Sequence, residues 1–247
     1  MNNILEIKNL YKNYQTKKKE YRVLDNINFK LKEGDFLAIV GPSGSGKSTI
    51  LSIIAGLEKI TSGEIIKNNN LKIGYMLQDD SLLPFLNILD NCLIGLKIQK
   101  KYNNKNINMV KELLKKYGLE EYMYKYPNEL SGGQRQRAAL IRALSLSPDL
   151  LLLDEPFSAL DYKSRLNISD DVRNILKKEK KSLIIVTHDI SEAVNMCNRI
   201  IVLTKDPSKI KSIYEVNYER KDNPIENRMS DGFMYYYKKI WKDLNYD

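Results

Sequence analysis

The chain has 247 residues, 43% of them hydrophobic and 29% charged, which is ample for one sizeable buried core, or one core carrying a smaller lobe. No stretch approaches the ~18 consecutive apolar residues of a membrane helix, which argues against a chain that spans a bilayer. Forty Lys and Arg against 31 Asp and Glu leave a net charge of +9, a balance that fits nucleic acid, an anionic membrane surface or a merely solvated basic surface and chooses among none of them.

The opening MNNILEIKNLYKNY has no apolar segment behind a basic start, so no signal peptide is expected and the cytosol is the expected compartment. Leu5 to Leu10, Val23 to Leu31 and Phe36 to Val40 are short apolar runs bounded by turn residues and predict strands. Lys17, Lys18 and Lys19, like Asn68, Asn69 and Asn70, read as polar turns beside strand-like segments. Ile50, Leu51, Ile53, Ile54 and Leu57 fall at helical spacing and predict a helix over 48–57, with Gly56 near its end. Lys72 to Met76 is strand-like. From Leu82 to Leu144 the pattern turns helical: Ile107, Val110, Leu113, Leu114 and Tyr117 make one apolar stripe, and Pro84 and Pro127 interrupt it. This reads as an inserted helical lobe.

Strand and helix then alternate: Leu150 to Leu153, a helix carrying Leu166, Val172, Ile175 and Leu176, Leu183 to Val186, a short helix from Ser191, and Ile200 to Leu203. Such alternation predicts a largely parallel sheet covered by helices. Near the end, Phe233, Tyr237, Ile240, Trp241 and Leu244 share one helical face, with Lys238, Lys239 and Lys242 elsewhere; a docked amphipathic helix and a membrane-surface helix both fit. Cys92 and Cys197 lack CxxC spacing and read as reduced, packed thiols.

The chemistry begins at Gly41, Pro42, Ser43, Gly44, Ser45, Gly46, Lys47, Ser48 and Thr49, which match GxxxxGK[ST] between a predicted strand and a predicted helix. Glycines let successive N–H groups and a helix N-terminus face phosphate oxygens, Lys47 adds a point charge, and Ser48 supplies a hydroxyl for Mg²⁺. The run Leu150 to Leu153 delivers Asp154 and Glu155 at its carboxyl end, where ligands bind in open α/β sheets. Asp154 is expected to hold Mg²⁺ directly or through water, and Glu155 to polarise water for attack on a γ-phosphate.

Between these elements lies Leu130-Ser-Gly-Gly-Gln-Arg135, and on it the chain resembles the ABC ATPases, whose signature sequence this is. Ser131, Gly132, Gly133 and Gln134 open a helix predicted to run from about Gln134 to Leu144, a second place where N–H groups and a hydroxyl face an anion. The resemblance covers about residues 1–215, with every motif in family order. It implies a head-to-tail dimer with two sandwiched ATP molecules, formed with an identical chain or a paralogous ATPase. It also implies that Gln78 touches Mg²⁺ and the attacking water, that Asp161 in Ser158 to Asp161 crosses the dimer interface, and that His188 contacts the γ-phosphate. Tyr14 matches the family's adenine-stacking aromatic, with Tyr11 as the alternative.

The implied fold is α/β: a P-loop NTPase core with a mostly parallel sheet, an N-terminal antiparallel β subdomain (about 1–35 and 61–77), an inserted α-helical signature subdomain (about 82–145) and a C-terminal helix (about 231–245), all in one ATPase domain over 1–247. The implied function is an ATP-hydrolysing transporter subunit on the cytoplasmic face of the membrane. It would be joined to a separate permease near Leu82, Leu83, Phe85 and Leu86, with an extracytoplasmic solute-binding protein in the complex; internal packing of the helical lobe is the other reading of those four residues. The Leu-Leu-Pro-aromatic sequence resembles importers of the nitrate, sulfonate and taurine type, whereas Ser208 and Lys209 depart from their Pro-Gly-Arg-Ile pattern. An exporter or lipoprotein-releasing ATPase shares every nucleotide motif. A nucleic-acid-associated ABC protein usually carries a coiled coil, zinc insertions or a second fused domain, none of which is present, so no nucleic acid is expected.

Overall fold

The computed structural model describes residues 3–15, 19–221 and 223–245. Lys17 and Lys18 of the first predicted turn lie outside the described residues. Strands β1 (Asn3–Gln15) and β2 (Glu20–Lys32) pair antiparallel; β3 (Phe36–Val40) follows, and then helix α1 (Lys47–Ala55). Strand β4 (Ser62–Lys67) returns to β1, closing a three-stranded antiparallel sheet of order β2-β1-β4. Within β1 the inward face changes parity at Asn9, a bulge with φ of 47°, so that Leu5 and Ile7 point inward before it and Leu10 and Lys12 after it. That one-residue shift sets where Tyr14 ends up.

Strand β5 (Ile73–Met76) leads to the helical lobe, made of α2 (Ile88–Ile98), α3 (Asn104–Lys116) and α4 (Gly132–Leu144). Strand β6 (Leu150–Asp154), helix α5 (Tyr162–Lys178), strand β7 (Ser182–Val186), helix α6 (Ile190–Met196) and strand β8 (Arg199–Leu203) then alternate as expected. The chain continues through β9 (Ile210–Glu215), α7 (Pro224–Met229) and α8 (Asp231–Asn245). The main sheet has the order β5-β6-β7-β3-β8-β9, parallel except for β9 at the edge. Strand β5 therefore belongs to this sheet and not to the antiparallel one, against the expected range 61–77. Gly74 allows it, because a side chain there would meet Pro148 and the carbonyl of Ala143 within about 3 Å.

Every inner strand is apolar on both faces, as a sheet covered on both sides requires. Leu37, Ile39, Leu150, Leu152, Ile184, Val186, Ile201 and Leu203 face α1 and the antiparallel sheet. Their neighbours Ala38, Val40, Leu151, Leu153, Leu183, Ile185, Ile200 and Val202 face α5, α6, α8 and the helical lobe. Helix α8 is docked, with Phe233 and Ile240 buried against that second core, while Trp241 of the same predicted face is 49% exposed. Cys92 and Cys197 are free and fully buried; burial pushes the Cys92 thiol up to about 12 and Cys197 further still. Among the described residues no helix is long and apolar enough to cross a membrane.

Candidate nucleotide site

Four adjacent parallel strands, β5, β6, β7 and β3, end on the same side of the sheet, and each releases one motif there. Gly41 follows β3 directly, Glu155 follows β6, His188 lies two residues past β7 and Gln78 two residues past β5. Sequence-distant groups converge because parallel strands share one carboxyl edge.

The loop after β3 curls through Gly44 and Gly46, at φ of 80° and 74°. At Gly46 a Cβ would also strike Leu24 and Val23 at 2.7 and 2.9 Å, so neither the backbone nor the space accepts a larger residue. Lys47, 6% exposed, donates from Nζ to the carbonyls of Gly41 at 2.8 Å and Pro42 at 2.9 Å. Burial holds its ammonium below the usual lysine range, while the nearby carboxylates of Glu155 and Asp154 oppose that shift. The loop with Tyr14, Gln78 and Glu155 encloses a cleft of about 300 Å³. Tyr14 borders this cleft, with Lys12 Nζ 4.5 Å from its ring centre; Tyr11, an odd number of positions earlier on the same strand and so on its other face, lies against Arg22. The structure thus separates the two tyrosines that the sequence left as alternatives.

Ser48 Oγ donates to Asp154 Oδ1 at 3.0 Å. Asp154 is 2% exposed, and burial raises its carboxyl above the usual range, with Glu155 adding to the effect and Ser48 and Lys47 opposing it. A paired hydroxyl and buried carboxylate are hard oxygen donors of the kind Mg²⁺ takes, and a divalent cation would offset the desolvation that Asp154 suffers, so these residues fit the metal. Glu155 adopts φ of 46°, a left-handed conformation that costs a non-glycine residue roughly 1 kcal/mol. Its N–H donates to Val186 O at 2.9 Å, and its carbonyl accepts from Gln136 Nε2 at 3.2 Å and Ser158 Oγ at 3.1 Å. The carboxylate is thereby aimed at His188, with Oε2 3.3 Å from Nδ1.

A family model described as ABC transporter matches residues 24–158. The chain is 40% identical over 248 residues to the uncharacterized ABC transporter ATP-binding protein YtlC of Bacillus subtilis (strain 168), covering 98% of this chain and 95% of the relative. It is 39% identical over 233 residues to the aliphatic sulfonates import ATP-binding protein SsuB of Bacillus cereus (strain ZK / E33L), covering 91% and 89%. The dimeric structure of a post-hydrolysis state of the ATP-binding cassette MJ0796 bound to ADP and Pi aligns with a TM-score of 0.78 at 36% identity, over 87% of this chain and all of that one.

The chain belongs to the ABC transporter family. It is an ATP-binding, ATP-hydrolysing subunit with the P-loop cassette fold of that family.

Not all predicted positions meet in the cleft. Ser131 caps α4, accepting from Gln134 N at 3.3 Å, while Gln134 Oε1 accepts from Ser131 N at 2.8 Å. Neither this reciprocal box nor Gly132 and Gly133 lines the cleft of Lys47. Asp161 likewise caps α5, accepting from Ser164 N at 3.0 Å; the Ser164 hydroxyl, and then this N–H, lower its carboxyl. Near the expected permease contact, Leu82 is 8% exposed and packs in the core, so it is not available on the surface; Leu83 and Leu86 are half-buried and Phe85 is 72% exposed. The fully buried Asn91 imposes this arrangement by accepting from Leu83 N at 2.7 Å and donating to the carbonyls of Leu83, Leu86 and Asn87.

Sequence reading missed several residues that shape the site. Gln136, 5% exposed on α4, bonds Glu155, Ser158 and the Ala159 N–H together. Thr187 and Glu192 brace the loop that carries His188: Thr187 Oγ1 donates to Glu192 Oε2 at 2.6 Å and accepts from Asp189 N at 3.0 Å. Only their buried positions distinguish these residues, and a linear pattern does not display side-chain reach.

Proposed function

We propose that the chain powers import of a small organic or anionic solute through a separate permease, hydrolysing ATP at the cytoplasmic face of the membrane. The observation that carries this reading is the convergence of Lys47, Ser48, Gln78, Asp154, Glu155 and His188 at one sheet edge. Lys47, now held by the Gly41 and Pro42 carbonyls, exchanges these acceptors for the β- and γ-phosphate oxygens. Tyr14 stacks on adenine. Ser48 and Asp154, with Gln78, would hold Mg²⁺, which would supply positive charge to offset that of the phosphates. Glu155 orients the attacking water and takes its proton, and His188, with Nδ1 3.3 Å from the Glu155 carboxylate, contacts the γ-phosphate.

Ser131, Gly132, Gly133, Gln134 and Asp161 serve the nucleotide of a partner cassette, identical or paralogous. Their placement outside this chain's own cleft supports that assignment, as does the dimeric form in which the MJ0796 cassette was solved. Hydrolysis removes the γ-phosphate that both cassettes grip, and the dimer reopens. Phe85, with Leu83 and Leu86, supplies the exposed apolar surface that a permease helix covers. Import as the direction rests on similarity to the SsuB relatives, which are named as import proteins, and a solute-binding protein outside the membrane is part of the same proposal.

The test is to purify the tagged Glu155→Gln chain from its native cell with ATP and identify bound proteins by mass spectrometry. A permease with a solute-binding protein is expected, together with an ATP-dependent doubling of mass for the isolated chain. Recovery of nucleic acid or ribosomal proteins without a membrane partner would overturn the transporter assignment.

A further inference from the structure

On the flank formed by α5, α6 and α7, away from the cleft of Lys47, a second cavity of about 210 Å³ is lined almost wholly by polar groups. Its floor is a pair of buried amides, Asn195 and Asn227, each 2% exposed and joined by a bond from Asn227 Nδ2 to Asn195 Oδ1 at 2.8 Å. Arg173 and Arg220 form the walls, and Lys177 and Lys221 stand exposed at the rim. Among the described residues that line the cavity, these four cations stand with one carboxylate, Asp170, which accepts from Asn195 Nδ2.

The two arginines differ in their bonding. Arg220 closes the end of α6, donating to the carbonyls of Val194, Asn195 and Cys197. Arg173 has no such occupation: its Nε–H is buried without a hydrogen-bond partner among the described residues. A buried guanidinium donor left unpaired costs roughly 1–3 kcal/mol, a penalty that native structures usually relieve with a ligand, an ion or water. Burial holds the Arg173 guanidinium below its usual range, with the charge of Arg220 adding to the shift and Asp170, Cys197 and Tyr218 opposing it.

We propose that this cavity is a binding site for a phosphate group, as inorganic phosphate or a phosphate monoester, separate from the nucleotide cleft and independent of the transport reading above. A tetrahedral dianion offers enough acceptors to engage the unpaired Arg173 Nε–H, the rim lysines and the amide of Asn174 together. Chloride or a monocarboxylate would leave most of those donors unused. The volume admits a phosphate or a small phosphorylated metabolite and is too small for a whole nucleoside triphosphate. Because α5 begins just after the Asp161 cap and α6 just after His188, an anion here bridges the two helices that leave the nucleotide edge.

The test uses the full chain carrying Lys47→Ala, so that phosphate bound by the nucleotide loop does not contribute. Inorganic phosphate is titrated while the arginine Nε–H resonances are followed by NMR, with Arg173 assigned by its loss in Arg173→Gln. The Arg173 resonance is expected to shift saturably with phosphate, not with chloride at equal ionic strength. Lys177→Ala with Lys221→Ala, both on the exposed rim and harmless to packing, is expected to weaken binding about tenfold. A parallel sedimentation with phosphatidylcholine vesicles containing phosphatidic acid distinguishes the sources. Co-sedimentation lost in the double lysine variant assigns a lipid headgroup, whereas binding in solution without co-sedimentation assigns a free phosphate compound. No shift at Arg173, an equal shift with chloride, or undiminished affinity in the double lysine variant would overturn the site.

Discussion

Gln136, on the helix opened by the signature sequence, donates from Nε2 to the backbone carbonyl of Glu155 at 3.2 Å. The same side chain accepts from the Ala159 N–H at 3.0 Å, so one buried amide fixes both the strained backbone of Glu155 and the turn leading to Asp161. The helical lobe and the carboxylate edge of the sheet are joined there.

Replacing Gln136 with Ala leaves the Ala159 N–H without its acceptor and frees the Glu155 peptide. A stability loss of about 1–3 kcal/mol is expected from the unpaired buried groups. Because the effect on chemistry is positional, kcat for ATP should fall roughly tenfold with KM nearly unchanged. Steady-state kinetics decide it, and a rise in KM at constant kcat would point instead to a role in nucleotide binding.

Lys47→Ala removes a cation that burial already disfavours. Loss of its charge-assisted bonds to phosphate should cost about 3 kcal/mol of ATP affinity, on the order of 100-fold, while the melting temperature without nucleotide stays level or rises. Calorimetric titration and a nucleotide-free melt test the two halves separately. Unchanged affinity would refute the phosphate-loop assignment.

Glu192 is 4% exposed, and burial raises its carboxyl to about 7, helped by Asp189 and opposed by Thr187, Arg165 and His188. Between the ordinary carboxylate range and about pH 7 the folded chain holds a proton on Glu192 that the unfolded chain has released. The contribution of this group to stability therefore falls as pH rises through that window, by on the order of 3 kcal/mol in all. Glu192→Gln abolishes this dependence, so its melting temperature relative to the parent chain should climb from pH 5 to pH 8. A difference that stays flat with pH would show that Glu192 does not titrate there.

Phe85 is 72% exposed at the end of a loop pinned by Asn91. Phe85→Ala removes apolar surface without touching the core, so the melting temperature should hold while recovery of a membrane partner with the tagged chain drops severalfold. Equal recovery would move the permease contact elsewhere.

Much of this was legible in the chain because its signals are local. The glycine loop, the apolar run ending in Asp154 and Glu155, and the signature sequence each occupy a few consecutive residues whose spacing is dictated by phosphate geometry or by strand period. The order of strands was not local. Strand β5 joins the main sheet because it fits beside β6, and β9 and α7 escaped notice because β9 is only half-buried and α7 is a helix of six residues. Tertiary structure alone decided that Tyr14 and not Tyr11 borders the cleft, and that Leu82 is core while Phe85 is surface. It also selected Gln136, Thr187 and Glu192 as the supports of Glu155 and His188. Sequence fixes which groups can do chemistry. Which of them meet depends on burial and on hydrogen bonds between residues far apart in the chain, and these exist only once the strands have paired.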